Sequence, residues 1–287
     1  MIPAYAGERT VCKKKAGRGM RMWGKRIWAA TALAALVCAG GTAMRAARVP
    51  LVIEVVSPQA DVLTAAAVPG EERPRVLLYH THTWEAYEMT EDAQYTPTET
   101  WRTRDERCNM LRVGSELARC LTELGFDVVH DVTAFEPPNL SSAYTRSLAM
   151  LEARRDAGER YDYILDVHRD AYSGLYNGAN GVQQDGQTMA YVMLLVGKGT
   201  GATGAGFDER PDWPKNLALA ERITEAMNAQ VEGISREVKV KTGRFNQHIS
   251  TGALLIEVGN NRNTLEEALA VCPVIAKAIA QVHEQES

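Results

Sequence analysis

The chain has 287 residues and a formal net charge of −4, and 45% of its residues are hydrophobic. This length allows one large domain or two small ones, and the composition is typical of a globular protein. No basic stripe runs through the body of the chain, which argues against a nucleic-acid partner. The five cysteines form no CxxC pair, and their odd number excludes a full disulfide framework. We expect them to be small buried side chains.

The N-terminal part of the chain reads as an export and anchoring segment. Residues 1–26 are basic, and residues 27–44 carry no charge. At 1.5 Å per residue, the second segment spans about 27 Å as a helix, close to the thickness of a bilayer core. The charge bias predicts a cytoplasmic N-terminus and an extracytoplasmic body. A cleaved signal peptide is the alternative, since the segment is short and ends in small residues. Residues 45–72 read as a linker with one short apolar run.

The body, residues 73–287, alternates predicted strands with predicted helices. The strands are short apolar runs, namely RVLLYH, FDVVHDV, YDYILDV, YVMLLVG, the alternating EVKVK, and ALLIEVG. Four stretches have helical periodicity: one entered by a capping box at Thr103 and Glu106, AYTRSLAMLEARRD, DWPKNLALAERITEAMNAQ, and one entered by a capping box at Thr264 and Glu267. This order predicts an α/β fold, a single three-layer domain with a mostly parallel sheet and helices on both faces.

Three of the predicted strands end in residue types that bind metals or transfer protons. His82 follows the first strand, His168 ends the third, and Glu257 ends the last. Ligands of open α/β sheets bind outside the carboxyl ends of the strands, so we expect these side chains to share one site. Two histidines and one acidic residue are the usual protein ligands of a hydrolytic zinc site, with water in the fourth position. His80 alternates with His82 and is expected to face the other side of the strand.

The acidic zinc ligand has three candidates, namely Asp105, Glu106 and Glu85. If Glu106 closes the capping box with Thr103, Asp105 is left free at the start of a helix, and it is therefore the candidate we favour. An acidic residue in a first helical turn also has a purely structural role opposite the helix dipole.

Glu257 is the candidate general base. Burial of a carboxylate at the end of so apolar a strand raises its pKa, which suits proton transfer from water. His248 in RFNQHIS, or Arg169 beside His168, is the candidate donor to an oxyanion. Neither a GxSxG nucleophile elbow nor an HExxH zinc helix is present.

The motifs resemble, as a set, the stage II sporulation protein P family. They are LLYHTHTWEAY, RTRDERCN with VGSELA, SAYTRSL, ILDVHRDA, RFNQHIS and LLIEVGNNRNTLEEA, and they cover about residues 74–283. That family is related to zinc N-acetylmuramoyl-L-alanine amidases. The resemblance implies zinc held by His82, His168 and an acidic residue, with Glu257 catalytic. Asp105 stands where the amidases usually have Glu, and Trp84 where relatives more often have Ser.

The resemblance also implies a biological setting. It predicts membrane anchoring through the N-terminal segment, an extracytoplasmic catalytic domain in the septal space, and hydrolysis of septal peptidoglycan during endospore engulfment. Both the muramoyl-L-alanine amide and peptide cross-links are implied substrates, and the stage II sporulation D and M proteins are implied partners. The alternative hypothesis is a peptidoglycan-binding or scaffold protein of the same fold without turnover.

Overall fold

The computed structural model describes residues 73–171, 180–199 and 210–286. The predicted tail, apolar segment and linker therefore lie outside the described residues. By its contacts the chain divides into two units, Met1–Ala60 and Asp61–Ser287, and all described residues belong to the second. No helix among the described residues is both long and apolar enough to span a bilayer.

Within the described residues, eight strands form two sheets. In chain order they are β1 (Arg75–Tyr79), β2 (Asp127–His130), β3 (Tyr163–Asp170), β4 (Gly181–Gln184), β5 (Gln187–Ala190), β6 (Val192–Gly197), β7 (Lys239–Lys241) and β8 (Ala253–Asn260). The main sheet has six strands in the order β2-β1-β3-β8-β6-β7, and β4 pairs with β5 in a separate hairpin. Because β1, β3 and β8 are neighbours, the three candidate strand ends lie side by side.

The main sheet is mixed but mostly parallel, as the sequence predicted. β2, β1, β3 and β8 run in one direction. β6 is antiparallel to β8, and β7 is parallel to β6, so these two strands run in the opposite direction. The carboxyl ends of β1, β3 and β8 therefore meet at one edge of the sheet, which is where side chains converge in such folds.

In the part of the chain that the structure describes, four α-helices connect and cover the strands. They are α1 (Met110–Glu123), α2 (Ala143–Asp156), α3 (Trp213–Gln230) and α4 (Leu265–Glu286). The capping box of α4 is confirmed, since Thr264 Oγ1 accepts from the Glu267 amide at 3.2 Å and Glu267 Oε2 accepts from the Thr264 amide at 3.1 Å. Pro214 lies in the first turn of α3 as predicted, since proline has no amide to lose there.

The predicted start of α1 is wrong. The helix begins at Met110 because Asn109 caps it, its Oδ1 accepting from the Leu111 amide at 3.0 Å. Thr103 is used differently, since its hydroxyl donates to the carbonyl of Thr96 at 2.9 Å. The residues between Thr103 and Asn109 consequently form a loop and not a first helical turn.

Apolar residues cover the sheet on both faces. The larger cluster joins β1, β3, β6 and β8 to α1, α3 and α4. The smaller one packs α2 against the other face and contains Leu77, Tyr79, Phe135, Ala143, Leu151, Ile164 and Ala253. Cys108, Cys120 and Cys272 are buried and free, as expected.

The hairpin of β4 and β5 was not predicted. Its strands are short and only partly buried, so they lack a strong period. The signal that was present is the Asp185-Gly186 turn, where both residues have positive φ, 52° and 81°. Asp-Gly is a preferred pair for a two-residue hairpin turn that requires this conformation.

Candidate active site

The three strand-end residues predicted to share a site lie together. His168 on β3 and Glu257 on β8 are directly paired in the parallel register of the two strands. His82 follows β1, and its ring centroid is 5.2 Å from that of His168, with the rings nearly perpendicular. In a parallel pair, residues in register present their side chains on the same face, so His168 and Glu257 share one face of the sheet.

His168 lies between two carboxylates. Its Nε2 is 2.8 Å from Asp166 Oδ1, and its Nδ1 is 3.6 Å from Glu85 Oε2. The contact with Asp166 is an ion pair without hydrogen-bond geometry. Burial by itself lowers the pKa of His168, but the charges of Asp166 and Glu85 outweigh it and raise this pKa well above the usual value. The imidazole is therefore strongly basic in the absence of another cation.

Of the three acidic candidates, Glu85 is the one that the fold brings to His168. It follows β1 by six residues and is buried, with 8% of its surface exposed. Burial raises the pKa of this carboxyl, but the nearby His168 imidazole and the charge of Arg169 lower it further, to about 2. The Arg169 backbone amide donates to Glu85 Oε2 at 3.3 Å. Glu85 is thus an ionised carboxylate beside both histidines.

Glu257 has the opposite electrostatic state. Burial raises the pKa of its carboxyl to about 8, partly offset by His168 and reinforced by the negative charge of Glu85. Its Oε2 atom is buried and makes no hydrogen bond. Two carboxylates whose pKa values lie so far apart are suited to different tasks, one to bind a cation and the other to exchange a proton.

His82 is held near a third carboxylate. Its Nδ1 is 3.6 Å from Glu136 Oε1, and Glu136 is itself buried, paired with Arg102 and accepting from the Trp84 amide. Since the 3.6 Å separation is too long for a hydrogen bond, His82 Nδ1 is a buried nitrogen without a hydrogen-bond partner. Tyr144 of α2 contacts the same imidazole edge-on, with a centroid separation of 5.6 Å.

Asp105, the acidic ligand favoured from the sequence, is not brought to the two histidines. Its carboxylate accepts from the Arg107 backbone amide at 3.1 Å and from the Arg107 guanidinium at 2.8 and 3.0 Å. The elimination that selected it assumed a capping box at Thr103, and α1 starts seven residues later. Glu106 is exposed to solvent. Of the three alternatives, only Glu85 contacts His168 in the part of the chain that the structure describes.

The two predicted oxyanion donors, Arg169 and His248, lie in different parts of the structure. The Arg169 guanidinium donates to the carbonyls of Ala86 and Trp101, both at 3.1 Å, and ties the loop that carries Glu85 to β3. His248 lines a cavity of about 360 Å³ with Arg210 and Asn216, near the start of β8. Glu257 lies farther along that strand, towards its carboxyl end.

His80 faces away from the site, as its alternation with His82 predicted. It is fully buried, and its Nδ1 is 2.7 Å from the carbonyl of Val167 while its Nε2 is 2.9 Å from Nε2 of His130. Burial and the proximity of His130 lower the pKa of His80 to about 3. It is a neutral core histidine with both ring nitrogens in use.

The site fits a metal in its donors but not in their present arrangement. Buried polar atoms without a partner are rare, and they indicate an absent ion or water. His82 Nδ1 is one such atom. Two imidazoles and the ionised Glu85 are the donor types of a zinc site. However, no group of three or more His, Cys, Asp and Glu side chains in the described ranges is arranged so as to hold an ion.

Three residues of the site were missed by sequence reasoning. Asp166 carried a readable signal, since it precedes His168 by two residues and therefore shares its strand face. Glu136 and Tyr144 had none, because they lie after β2 and on α2, outside the strand ends that were searched. Only the packing of α2 and the loop before it brings them to His82.

Comparison with known proteins identifies a family. The sequence model of the family described as stage II sporulation protein P matches residues 56–280, most of the chain. Stage II sporulation protein P of Bacillus subtilis (strain 168) is 23% identical over 219 residues, which is 72% of this chain and 51% of that protein. The chain thus matches about half the length of this curated relative. The resemblance predicted from the motifs is confirmed.

Solved structures with a similar course of the chain include several amidases. AmiC2 of Nostoc punctiforme, an N-acetylmuramoyl-L-alanine amidase, is 14% identical with a TM-score of 0.42, covering 76% of this chain and 98% of its own. The catalytic domain of the CD27L endolysin, targeting Clostridia difficile, is 14% identical with a TM-score of 0.45, covering 74% and 98%. The family match carries the assignment, and these distant neighbours add nothing to it.

Proposed function

We propose that this chain, which belongs to the stage II sporulation protein P family, is a peptidoglycan hydrolase that cleaves the amide between muramic acid and L-alanine. The observation that carries the proposal is the pairing of His168 with Glu257 across β3 and β8, with His82 and Glu85 beside them. The site combines a cation-binding carboxylate with a carboxyl whose pKa is close to neutrality. Metal-assisted hydrolysis of an amide uses both kinds of group, one to bind the metal and one to transfer a proton.

In this proposal zinc would be held by His82, His168 and Glu85. Bound there, it would supply Lewis acidity that polarises the amide carbonyl and lowers the pKa of water. Zinc would need His168 as a neutral imidazole. Asp166 then faces a neutral ring and orients it, as carboxylates beside metal-binding histidines commonly do.

Glu257 is the general base and then the general acid. Its carboxylate takes a proton from the attacking water, the water oxygen adds to the carbonyl carbon, and the same proton passes to the leaving amine nitrogen as the C–N bond breaks. The lack of a hydrogen bond to Glu257 Oε2 leaves that oxygen available for the proton. A pKa raised by burial makes the carboxylate a stronger base than an exposed glutamate.

The proposed location, partners and second activity are taken from the family. Residues 73–287 are proposed as the catalytic domain, residues 27–44 as the membrane anchor, and the septal space as the site of action on septal wall during engulfment. The stage II sporulation D and M proteins are proposed partners, and cleavage of peptide cross-links is a proposed second activity. None of these roles depends on the geometry of the site.

A binding protein without turnover is the second candidate. The observation in its favour is that the described side chains are not gathered around one metal position. Such a protein binds peptidoglycan through the same residues and releases no product. The raised pKa of Glu257 and the unpartnered Nδ1 of His82 have no use in a binding protein, which is why we prefer hydrolysis.

Product analysis separates the two. The chain is incubated with purified sacculi in the presence of zinc, and soluble products are analysed by mass spectrometry and by labelling of new amino termini. We expect free stem peptides with N-terminal L-alanine, and their loss in Glu257→Gln with zinc content retained. Glu284→Gln, an exposed glutamate on α4, is the matched control. Binding of sacculi by wild type without any new amino termini would establish the second candidate instead.

A further inference from the structure

Three aromatic rings enclose the centre of the candidate site. The ring centroids of His82 and His168 are 5.2 Å apart, and that of Tyr144 is 5.6 Å from His82 and 6.4 Å from His168. The Tyr144 ring is nearly parallel to His168, with an interplanar angle of 10°. From this arrangement, and resting on the proposed amide hydrolysis, we infer that the Tyr144 hydroxyl is a catalytic hydrogen-bond donor to the substrate carbonyl oxygen.

The Tyr144 hydroxyl is uncommitted within the fold. The hydroxyl of Tyr87, another buried tyrosine near the site, differs in that it donates to the carbonyl of Val258 at 2.7 Å. No hydrogen bond joins the Tyr144 hydroxyl to a residue in the described part of the chain, and its side chain is only half-buried. A phenol placed beside two imidazoles but bonded to nothing is free to bind a ligand.

The hydroxyl also stays protonated. A tyrosine hydroxyl has an ordinary pKa of about 10 and is protonated at neutral pH. A neutral phenol is able to donate one hydrogen bond to an oxygen on which negative charge develops.

The ring is held in place through its backbone and its edge. Tyr144 lies in the first turn of α2, and its carbonyl accepts from Asn246 Nδ2 at 2.9 Å. Phe245 contacts the ring edge-on with centroids 5.8 Å apart. Asn246 also donates to Ser147 Oγ at 3.0 Å, so the loop before β8 is fastened to α2 at Tyr144 and at Ser147. None of these contacts uses the hydroxyl.

The sequence predicted Arg169 or His248 as the hydrogen-bond donor to the oxyanion, and the structure gives both side chains other surroundings. The Arg169 guanidinium is occupied by two backbone carbonyls and Glu85, and His248 lines the cavity near the start of β8. In the step we assign, water oxygen bonds to the carbonyl carbon and the C=O π pair moves onto oxygen, where the Tyr144 O–H donates. The phenol keeps its proton, and the pair returns when the C–N bond breaks and the amine leaves with the proton carried by Glu257.

The test uses three variants of the full chain with muramoyl-peptide substrate. Tyr144→Phe removes only the hydroxyl, Tyr144→Leu removes the ring, and Tyr163→Phe removes a hydroxyl at the opposite end of β3 from His168. We expect kcat of Tyr144→Phe to fall about 100-fold with KM and zinc content unchanged. Its affinity for a phosphinic analogue of the tetrahedral intermediate, measured by calorimetry, falls by the same factor. Tyr163→Phe keeps wild-type kcat.

The outcomes separate the donor from a packing role. If Tyr144→Phe retains wild-type kcat while Tyr144→Leu loses zinc or turnover, the ring acts by supporting the imidazoles and the donor role is overturned. A Tyr144→Phe variant with lower zinc content and lower melting temperature overturns it too. A wild-type chain that hydrolyses nothing overturns the proposed function, and the donor role with it, whereas wild-type turnover alongside an unimpaired Phe variant overturns the donor role alone.

Discussion

His80 and His82 lie two residues apart, one on each face of the first strand's end, and their environments differ in every respect. His80 is fully buried, has both ring nitrogens in contact with neutral groups, and has its pKa lowered to about 3. His82 is partly exposed and has a buried nitrogen without a partner beside the carboxylate of Glu136. A satisfied, neutral histidine belongs to the core, whereas an unsatisfied one surrounded by carboxylates indicates a site.

The largest expected effect is the difference between alanine variants of His82 and His80. We expect His82→Ala to lose zinc and to lower turnover at least about 1,000-fold, because it removes a proposed ligand. His80→Ala should keep zinc but lose about 2–4 kcal/mol of unfolding free energy, since it removes a fully buried side chain and strands the His130 nitrogen. Metal analysis and urea unfolding of both variants provide the measurement. Equal zinc content in His82→Ala and wild type would remove His82 from the ligand set.

A second contrast concerns the acidic ligand. Glu85→Gln should weaken zinc binding about 100-fold or more, because a neutral amide replaces the ionised carboxylate beside His168. Asp105→Asn should change zinc affinity less than about twofold, since its carboxylate pairs with exposed Arg107. Competition with a chromophoric chelator measures both. The reverse ranking would restore Asp105 as the ligand.

Gly114→Ala should disturb the packing around His80 and leave the surroundings of His82 unchanged. A Cβ at this position of α1 would lie 2.3 Å from His80 Nε2 and 2.5 Å from His130 Nε2. The two rings are packed against each other and have little room to move, so we expect a loss of about 2–3 kcal/mol of unfolding free energy. Zinc content should stay at the wild-type level. Ser115→Ala on the same helix, whose hydroxyl bonds only the carbonyl of Leu111, is the control.

The smallest effect is a pH dependence carried by Glu257. Its pKa is about 8 in the fold, against 4.5 in the unfolded chain. Between these values the unfolded chain releases a proton that the folded chain keeps, so the zinc-free protein loses stability as pH rises from about 4.5 to 8 and no more above that. Glu257→Gln removes this loss, which is measured as the change of unfolding free energy between pH 4 and pH 8.5. The unfolding free energy of both proteins is measured in urea at each pH. An equal dependence on pH in the two proteins would show that the pKa of Glu257 is not raised by folding.

Local patterns predicted the elements well where each had a strong period. α2, β6 and β8 were recognised because apolar periodicity and flanking turn residues are visible in a short window. The start of α1 was predicted wrongly because Thr103 and Glu106 have the residue types and the spacing of a capping box. The loop that precedes Asn109 is instead organised by contacts with distant residues, such as the bond from the Thr103 amide to the carbonyl of Trp84.

The residues of the candidate site also fall into those that local patterns predicted and those that they did not. His82, His168 and Glu257 follow from sequence because parallel strands bring their carboxyl ends to one edge, and alternation assigns each side chain a face. Glu85, Glu136 and Tyr144 reach that edge by the path of loops and the packing of α2, which no local period encodes. The capping rule that favoured Asp105 did not hold, since Asn109 and not Thr103 caps α1.

The sequence by itself determined the family, the mostly parallel α/β order and the three strand ends that meet, because each is written in residue types at short spacing. Only the tertiary structure decided which carboxylate stands beside the histidines, and that Arg169 is a clamp for the loop and not a free donor. The physical reason is electrostatic and long-range. Charges separated by 80 or more residues, such as Glu85 and His168, act on each other only once burial removes the water between them.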